Sequence, residues 1–334
     1  MAVESQRIAV IVEREGLGDA LLKLPMLRAI RRARPDAEIW WLASNQTAMA
    51  DVLRPYTEQS VAHVLPDLHL SGPLRATIAR MRQLPRFHTV FDTRTRVADV
   101  FVSRFALRPR EFYACLPGFL LSTRRPPGMR ERPHGIGARA MALASAAIGA
   151  AADGSGGLPV AQAESEAAAR DLPVGPSYVG LAPGSREAKK NWPLERFVAV
   201  ARAMASAGHV PVFIIGPFEQ PWLPQLREAV PQALFPTIDP IGRALAVLSR
   251  MTAVLANDSG MGHMTAALGV PLVSLFGPTD AERWRPVGGP VHVIRAQEFG
   301  GTTMDAIPDG PVIAALRDVA EKAMSKDRRN ASPD

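Results

Sequence analysis

The sequence contains a single cysteine, Cys115, in 334 residues. One thiol excludes an internal disulfide framework and leaves no cysteine cluster for zinc or iron–sulfur, so Cys115 reads as a small buried hydrophobe. Long apolar runs are also missing. Arg, Gly or Pro interrupts every apolar stretch well short of the roughly 20 residues that cross a bilayer, and no basic segment followed by an apolar one opens the chain. A cytoplasmic location is expected. Aromatic residues are only 6% of the chain and are not interleaved with basic ones along any helix pattern, which argues against nucleic acid as a partner. There is no Walker A lysine loop, no HExxH, no GxSxG, and no histidine or carboxylate cluster with ligand spacing. No metal and no bound cofactor is expected.

Lysine is scarce too, since 34 of the 39 basic residues are arginine. Residues 1–150 carry 22 Lys/Arg against 13 Asp/Glu, and residues 151–334 carry 17 against 19. The N-terminal half is therefore basic. Either it meets something anionic, such as an acidic lipid surface or a phosphorylated substrate, or the composition is simply arginine-rich.

What is present is an alternation of buried strands and amphipathic helices, and 47% apolar residues over this length can fill two cores. Arg7 to Glu13 reads as a first buried strand, Gly16-Leu-Gly-Asp19 as a tight turn, Ala20 to Arg34 as a helix and Glu38 to Ala43 as the next strand, a parallel βαβ unit. Val61 to Leu65 and Thr89 to Asp92 are further strand candidates, with helices at Gly72 to Arg82 and Val97 to Phe105. Residues 1–152 form the expected first domain. Residues 153–176, opening on a Gly/Ser-rich stretch, read as linker. A second α/β series, 177–324, offers strands at Tyr178 to Ala182, Pro211 to Ile215, Ala253 to Ala256, Leu272 to Phe276 and Val291 to Ile294. Residues 325–334 are charged and expected to fray.

The densest polar signal lies in this second series. The apolar run Ala253 to Ala256 stops at Asn257-Asp258-Ser259-Gly260, and a small-residue helix follows from Met261 to Leu268, with His263 in its first turn. Asp258 or Ser259 at the N-cap can either just cap the helix or help hold an anion, because the first N–H groups are unpaired and the dipole is positive there. The next strand ends in a second polar loop, Gly277-Pro278-Thr279-Asp280. After the first strand of the series comes Pro183-Gly184-Ser185-Arg-Glu-Ala-Lys-Lys190-Asn-Trp, in which Gly184 and Ser185 offer close backbone and hydroxyl contacts and Lys190 a point charge suited to phosphate. In open α/β sheets ligands bind at the carboxyl ends of strands, where all these loops fall. The opening turn is not a dinucleotide fingerprint. Leu21 occupies the place of the third glycine, and Glu38 starts the second strand rather than ending it. Asp19 is left at a strand end and a helix start, suited to capping or to chemistry.

Three segments, GLGDALLKLPMLRAIRRARPDAEIWWL, PGSREAKKNWPLERF and NDSGMGHMTAALGVPLVSLFGPTD, resemble the family-nine glycosyltransferases, the lipopolysaccharide heptosyltransferases, in order and spacing across nearly the whole chain. The resemblance implies an α/β GT-B architecture, two Rossmann-like domains with mainly parallel sheets facing across a cleft. It implies an inverting, metal-independent transferase in which Asp19 is the general base. Gly184, Ser185, Lys190, Asp258, Ser259, Gly260, His263 and Thr279 would bind the donor; Gly18, Arg94 and Arg96 are the acceptor candidates, although Thr93-Arg94-Thr95-Arg96 departs from the polar-glycine sequence often seen there in the family. The donor would be a nucleotide-sugar, in this family usually ADP-heptose, and the acceptor an anionic lipid-linked glycan at the inner face of the cytoplasmic membrane. Some members place a glutamate for the ribose before the Asp258 knot. The comparable stretch here, Asp239-Pro-Ile-Gly242, offers only Asp239. Two alternatives share these residues: a binder of nucleotide-sugar without turnover, and a transferase using another donor such as a UDP-sugar.

Overall fold

The computed structural model describes residues 6–331. It divides into two compact units, the first ending at Gly156 and the second beginning at Gly157.

In the first unit five strands, β1 (Arg7–Val12), β2 (Glu38–Ala43), β3 (His63–Leu65), β4 (Thr89–Asp92) and β5 (Glu111–Ala114), form a wholly parallel sheet in the order β3-β2-β1-β4-β5. Residues 8–12 and 89–92 are buried without a break, as expected when both faces of a parallel sheet are covered. The helices Leu24–Ala33 and Ile136–Ile148 pack on each other; the helices Leu74–Gln83 and Val97–Leu107 do the same, and their Met81 and Val100 join Ile11, Leu42, Val90 and Phe112 in one core cluster. The single helix expected over Ala20 to Arg34 is two, Leu17–Leu21 and Leu24–Ala33, because Pro25 is accepted only in the first turn of a new helix. Strand β5 was not anticipated. Four residues following an arginine-rich stretch carry no readable period.

The second unit contains β6 (Tyr178–Ala182), β7 (Val210–Phe213), β8 (Ala253–Asn257), β9 (Leu272–Phe276) and β10 (Val291–Arg295), again all parallel, in the order β10-β9-β8-β6-β7. Counted within the unit this is 2-1-3-4-5, the doubly wound order of flavodoxin type, whereas the first unit has 3-2-1-4-5. Both sheets have one point where strand order reverses, between β1 and β4 and between β6 and β8.

Two expectations about the connections change. Residues Gln162–Asp171, within the expected linker, form a helix. Arg243 secures its carboxyl end, donating from Nη2 to Ala167 O at 2.9 Å and to Asp171 Oδ2 at 2.6 Å, a favourable place for a cation. The segment expected to fray from 325 belongs to the 23-residue helix Asp309–Ala331, which buries Val312, Leu316 and Ala320 at a spacing of four; residues 332–334 lie outside the described residues. Among the described residues no helix is long and apolar enough to cross a membrane.

Leu255 lies in the middle of β8, fully buried in the second core cluster. Leu255→Ala should destabilise the protein by about 2–5 kcal/mol through lost transfer energy and a residual cavity, read as a lowered urea midpoint.

Candidate functional site

In the second unit the loops that follow β6, β8 and β9 converge on one carboxylate. Asp258 Oδ2 accepts from Lys190 Nζ at 2.9 Å and from Thr279 Oγ1 at 2.9 Å. Asn257, the last residue of β8 and fully buried, ties two of these loops together. Its Nδ2 donates to Pro183 O at 2.7 Å and its Oδ1 accepts from Trp192 N at 3.2 Å. The Lys190 and Asp258 loops thus flank the point where strand order reverses, the position at which such sheets take ligands.

The helix Gly260–Ala267 starts at this knot with Ser259 as its N-cap, but the Ser259 hydroxyl does not cap it. Ser259 Oγ and His263 Nδ1 are buried and have no hydrogen-bond partner among the described residues. The first helical bond is His263 N to Ser259 O, so the N–H groups of residues 260–262 have no helical carbonyl to meet. A site with a cation, a threonine hydroxyl, open helix N–H groups and two unspent polar atoms is suited to a phosphate or diphosphate. His263 is held neutral. Burial pushes its imidazole down to about 4 against the opposing pull of Asp258, and the Lys190 charge adds to the depression.

Glu219 completes this edge and was missed by the sequence reading, which looked for a glutamate near Asp239. It follows β7 in the loop Gly216-Pro-Phe-Glu and is buried. A Cβ at Gly184 would collide with its carboxylate, and one at Gly216 would lie 2.6 Å from Oε2. A side chain at either glycine would have to displace the Glu219 carboxylate. Burial raises the Glu219 carboxyl above the usual range, opposed by backbone N–H groups at Glu219 and Gly216. The signal that could have found it is a glycine turn at a strand end carrying an acid three residues on. Asp239 itself is exposed, ahead of the helix Ile241–Leu248. Ser185 is occupied within its own loop, donating to Glu187 O at 3.1 Å and accepting from Glu187 N at 3.2 Å.

In the first unit Gly18 and Asp19 lie in the short helix after β1, which begins at the Gly16 N-cap. The turn rests on a buried ion pair. Glu15 accepts from Trp41 Nε1 and Thr47 Oγ1, each at 2.9 Å, and pairs with Lys23, whose Nζ also donates to Asp19 O at 3.0 Å. The expected acceptor contact at Arg94 is corrected by its surroundings. Arg94 is 4% exposed, with Nε and Nη2 on Asp92 and Nη1 on Leu70 O, while Asp99 O and Ser103 Oγ take further bonds from Nη2. Burial works against its charge, but Asp92, Asp99 and Glu13 outweigh it and hold the guanidinium firmly protonated. Arg96 is exposed, its Nε 3.6 Å from Asp99 Oδ2.

A family model described as glycosyltransferase family 9 (heptosyltransferase) matches residues 118–305, more than half of the chain. The chain belongs to this family. The matched range of the family-9 model holds the Lys190, Glu219 and Asp258 loops and leaves out Asp19. Lipooligosaccharide heptosyltransferase 2 of Haemophilus influenzae is 27% identical over 127 residues, 36% of this chain and 37% of the relative. Lipopolysaccharide heptosyltransferase 3 of Escherichia coli is 30% identical over 119 residues, 34% and 35% of the two chains. The alignments span only about a third of the length of these curated relatives. Over whole chains, the solved family-9 glycosyltransferase of Veillonella parvula aligns with a TM-score of 0.71 at 18% identity, covering 96% of this chain and 99% of that one. The E. coli heptosyltransferase WaaC with ADP aligns at 0.64 and 20% identity, covering 94% and 100%. At these identities the likeness establishes the fold, GT-B, with two parallel-sheet α/β domains.

Two outcomes are expected. Arg94→Ala strands the fully buried Asp92 carboxylate and should cost about 3–5 kcal/mol in chemical denaturation, whereas Arg96→Ala should change stability by less than about 0.5 kcal/mol. His263 should make the fold acid-sensitive. Its folded value near 4 lies below the unfolded value of about 6.5, so above that pH both states are neutral and nothing is lost. As pH falls from about 6.5 toward 4 the unfolded state binds the proton first, and stability drops by on the order of 3 kcal/mol. Urea midpoints at pH 7 and pH 4.5 should differ less in His263→Gln than in the native protein.

Proposed function

We propose that the protein is an inverting glycosyltransferase that moves a sugar, heptose from ADP-heptose, onto a lipopolysaccharide core or related anionic lipid-linked acceptor at the inner face of the cytoplasmic membrane. The observation that carries this reading is the convergence of Lys190, Thr279 and Asp258 with the unspent Ser259 and His263 atoms at one end of a helix. Family membership and the name of the WaaC complex with ADP support the choice of donor.

In the proposed reaction the acceptor hydroxyl attacks the anomeric carbon from the face opposite the leaving group. A new C–O bond forms, the bond to the diphosphate oxygen breaks, and the hydroxyl proton passes to the Asp19 carboxylate. Charge growing on the departing diphosphate is met by Lys190, which exchanges Asp258 for phosphate oxygen, and by the N–H groups at 260–262. The buried Ser259 hydroxyl donates to the same group. A neutral His263 can accept a proton as the diphosphate arrives, since an adjacent dianion favours imidazolium. Glu219, between two glycines that admit close approach, is assigned the ribose hydroxyls. With Lys190 and the helix end in these roles, the transfer is proposed to run without a metal.

Lys190→Ala should lower turnover by about 10²–10³-fold, as loss of a preorganised electrostatic contact does, and Asp19→Ala by at least about 10²-fold. Release of nucleoside diphosphate over a panel of donors and acceptors measures both. Full activity in Asp19→Ala removes it as the base, and donor binding without release across the panel identifies a binder instead. Calorimetry should show ADP bound more tightly than UDP; the reverse order assigns a UDP-sugar. Turnover should persist in excess EDTA, and a loss restored by Mg²⁺ would refute the metal-free assignment.

A further inference from the structure

Between Pro73 and Arg110 the sequence has nine arginines, two aspartates, and neither lysine nor glutamate. Both aspartates are buried. Asp92 is paired to Arg94, and Asp99 accepts from Ser71 Oγ at 3.2 Å and lies near Arg96. Seven of the arginines are exposed: three on the helix Leu74–Gln83, Arg96 and Arg108 at the two ends of the helix Val97–Leu107, and Arg86 and Arg110 in the loops, with no exposed acid among them.

The helix Val97–Leu107 directs Asp99, Val100 and Ser103 inward. Its other side carries Val97, Phe101 and Phe105, which are 53%, 51% and 53% exposed. Their spacing of four places them in one stripe two turns long, and the two phenyl rings contact at 4.3 Å between centroids. Exposed arginines stand at both ends of this helix, Arg96 at its N-cap and Arg108 at its C-cap. A contiguous apolar stripe of this kind, rimmed by cations, marks an interaction surface.

We propose that this face of the helix Val97–Leu107 docks on an anionic lipid bilayer, with Val97, Phe101 and Phe105 entering the headgroup region and the surrounding arginines reaching lipid phosphates. A soluble polyanion could use the charge but has no use for the apolar centre, whereas the bilayer interface matches both. The surface extends the proposed function, since it would hold the protein against the layer that contains a lipid-linked acceptor.

The test is co-sedimentation of the full chain with vesicles of phosphatidylcholine alone or mixed with phosphatidylglycerol. The native protein should pellet with the anionic vesicles and stay in solution with the neutral ones. Phe101→Ser/Phe105→Ser should weaken binding by about tenfold or more, and Arg108→Gln/Arg110→Gln should weaken it and flatten its salt dependence, with melting temperatures unchanged. Native protein that ignores anionic vesicles, or a double serine variant that binds like the native one, overturns the proposal. So does a native dimer that the serine variant converts to monomer without any vesicle binding, because the stripe would then be a self-contact. Turnover with a delipidated soluble acceptor separates the two readings. It should be the same in native and variant proteins; if it is absent with every donor while vesicle binding still depends on Phe101 and Phe105, the docking surface stands and the transferase reading falls.

Discussion

Within each sheet every strand runs parallel to its neighbours, and this constraint governs where polar chemistry can lie in the chain. A parallel strand needs a crossover to return, the crossover helices cover both faces, and the strands between them become continuous apolar runs such as residues 8–12 and 253–256. A buried polar group mid-sheet is costly without a partner, and few stand there; the Ser274 hydroxyl in β9 is one of them. Charged and hydrogen-bonding residues are therefore gathered at the strand ends, and the reversal of strand order opens a gap there between neighbouring loops. Asp19 and the segment 93–96 follow the reversal pair of the first unit; Lys190 and Asp258 follow that of the second.

Each reversal point holds an aspartate paired to a cation, and the two pairs differ in what surrounds them. Asp92 and Arg94 are sealed, with the guanidinium donors spent on carboxylate, carbonyl and hydroxyl oxygens. Removing one partner leaves a bare charge in low dielectric, so the pair is structural. Lys190 is linked to Asp258 by one contact, has Glu187 Oε1 at 3.5 Å, and keeps part of its side chain in solvent. An ammonium with three donors and a flexible stem can leave one oxygen for another at little cost. The same elements of charge thus give a sealed staple in one sheet and a partly exposed pair in the other. The buried Glu15–Lys23 pair belongs with the first kind, anchoring the turn that carries Asp19.

Much of this architecture was legible in the chain. Nine of the ten strands, the division into two α/β series and the loops bearing Asp19, Lys190 and Asp258 follow from uninterrupted apolar runs and from glycine and polar punctuation at their ends. Less legible were elements stabilised from outside themselves. The helix Gln162–Asp171 lies in linker-like surroundings and is secured by Arg243, seventy-two residues beyond Asp171. Glu219 escaped notice because its significance lies in Gly184, a residue of another loop. Arg94 was expected at the acceptor because nothing local reveals that Asp92, Leu70, Asp99 and Ser103 enclose it.

By itself the sequence determined which residue types stand at the ends of which strands, since periodicity and turn chemistry are local properties that each segment carries alone. Only the tertiary structure decided what those residues do to one another. Strand order is set by packing among segments far apart in the chain, and it alone put Lys190 and Thr279 on one carboxylate oxygen, withdrew Arg94 into a sealed pair and left Phe101 and Phe105 uncovered. Burial then set the charge states, because the cost of an ion depends on the atoms around it. A sequence lists those atoms without saying which of them will be near.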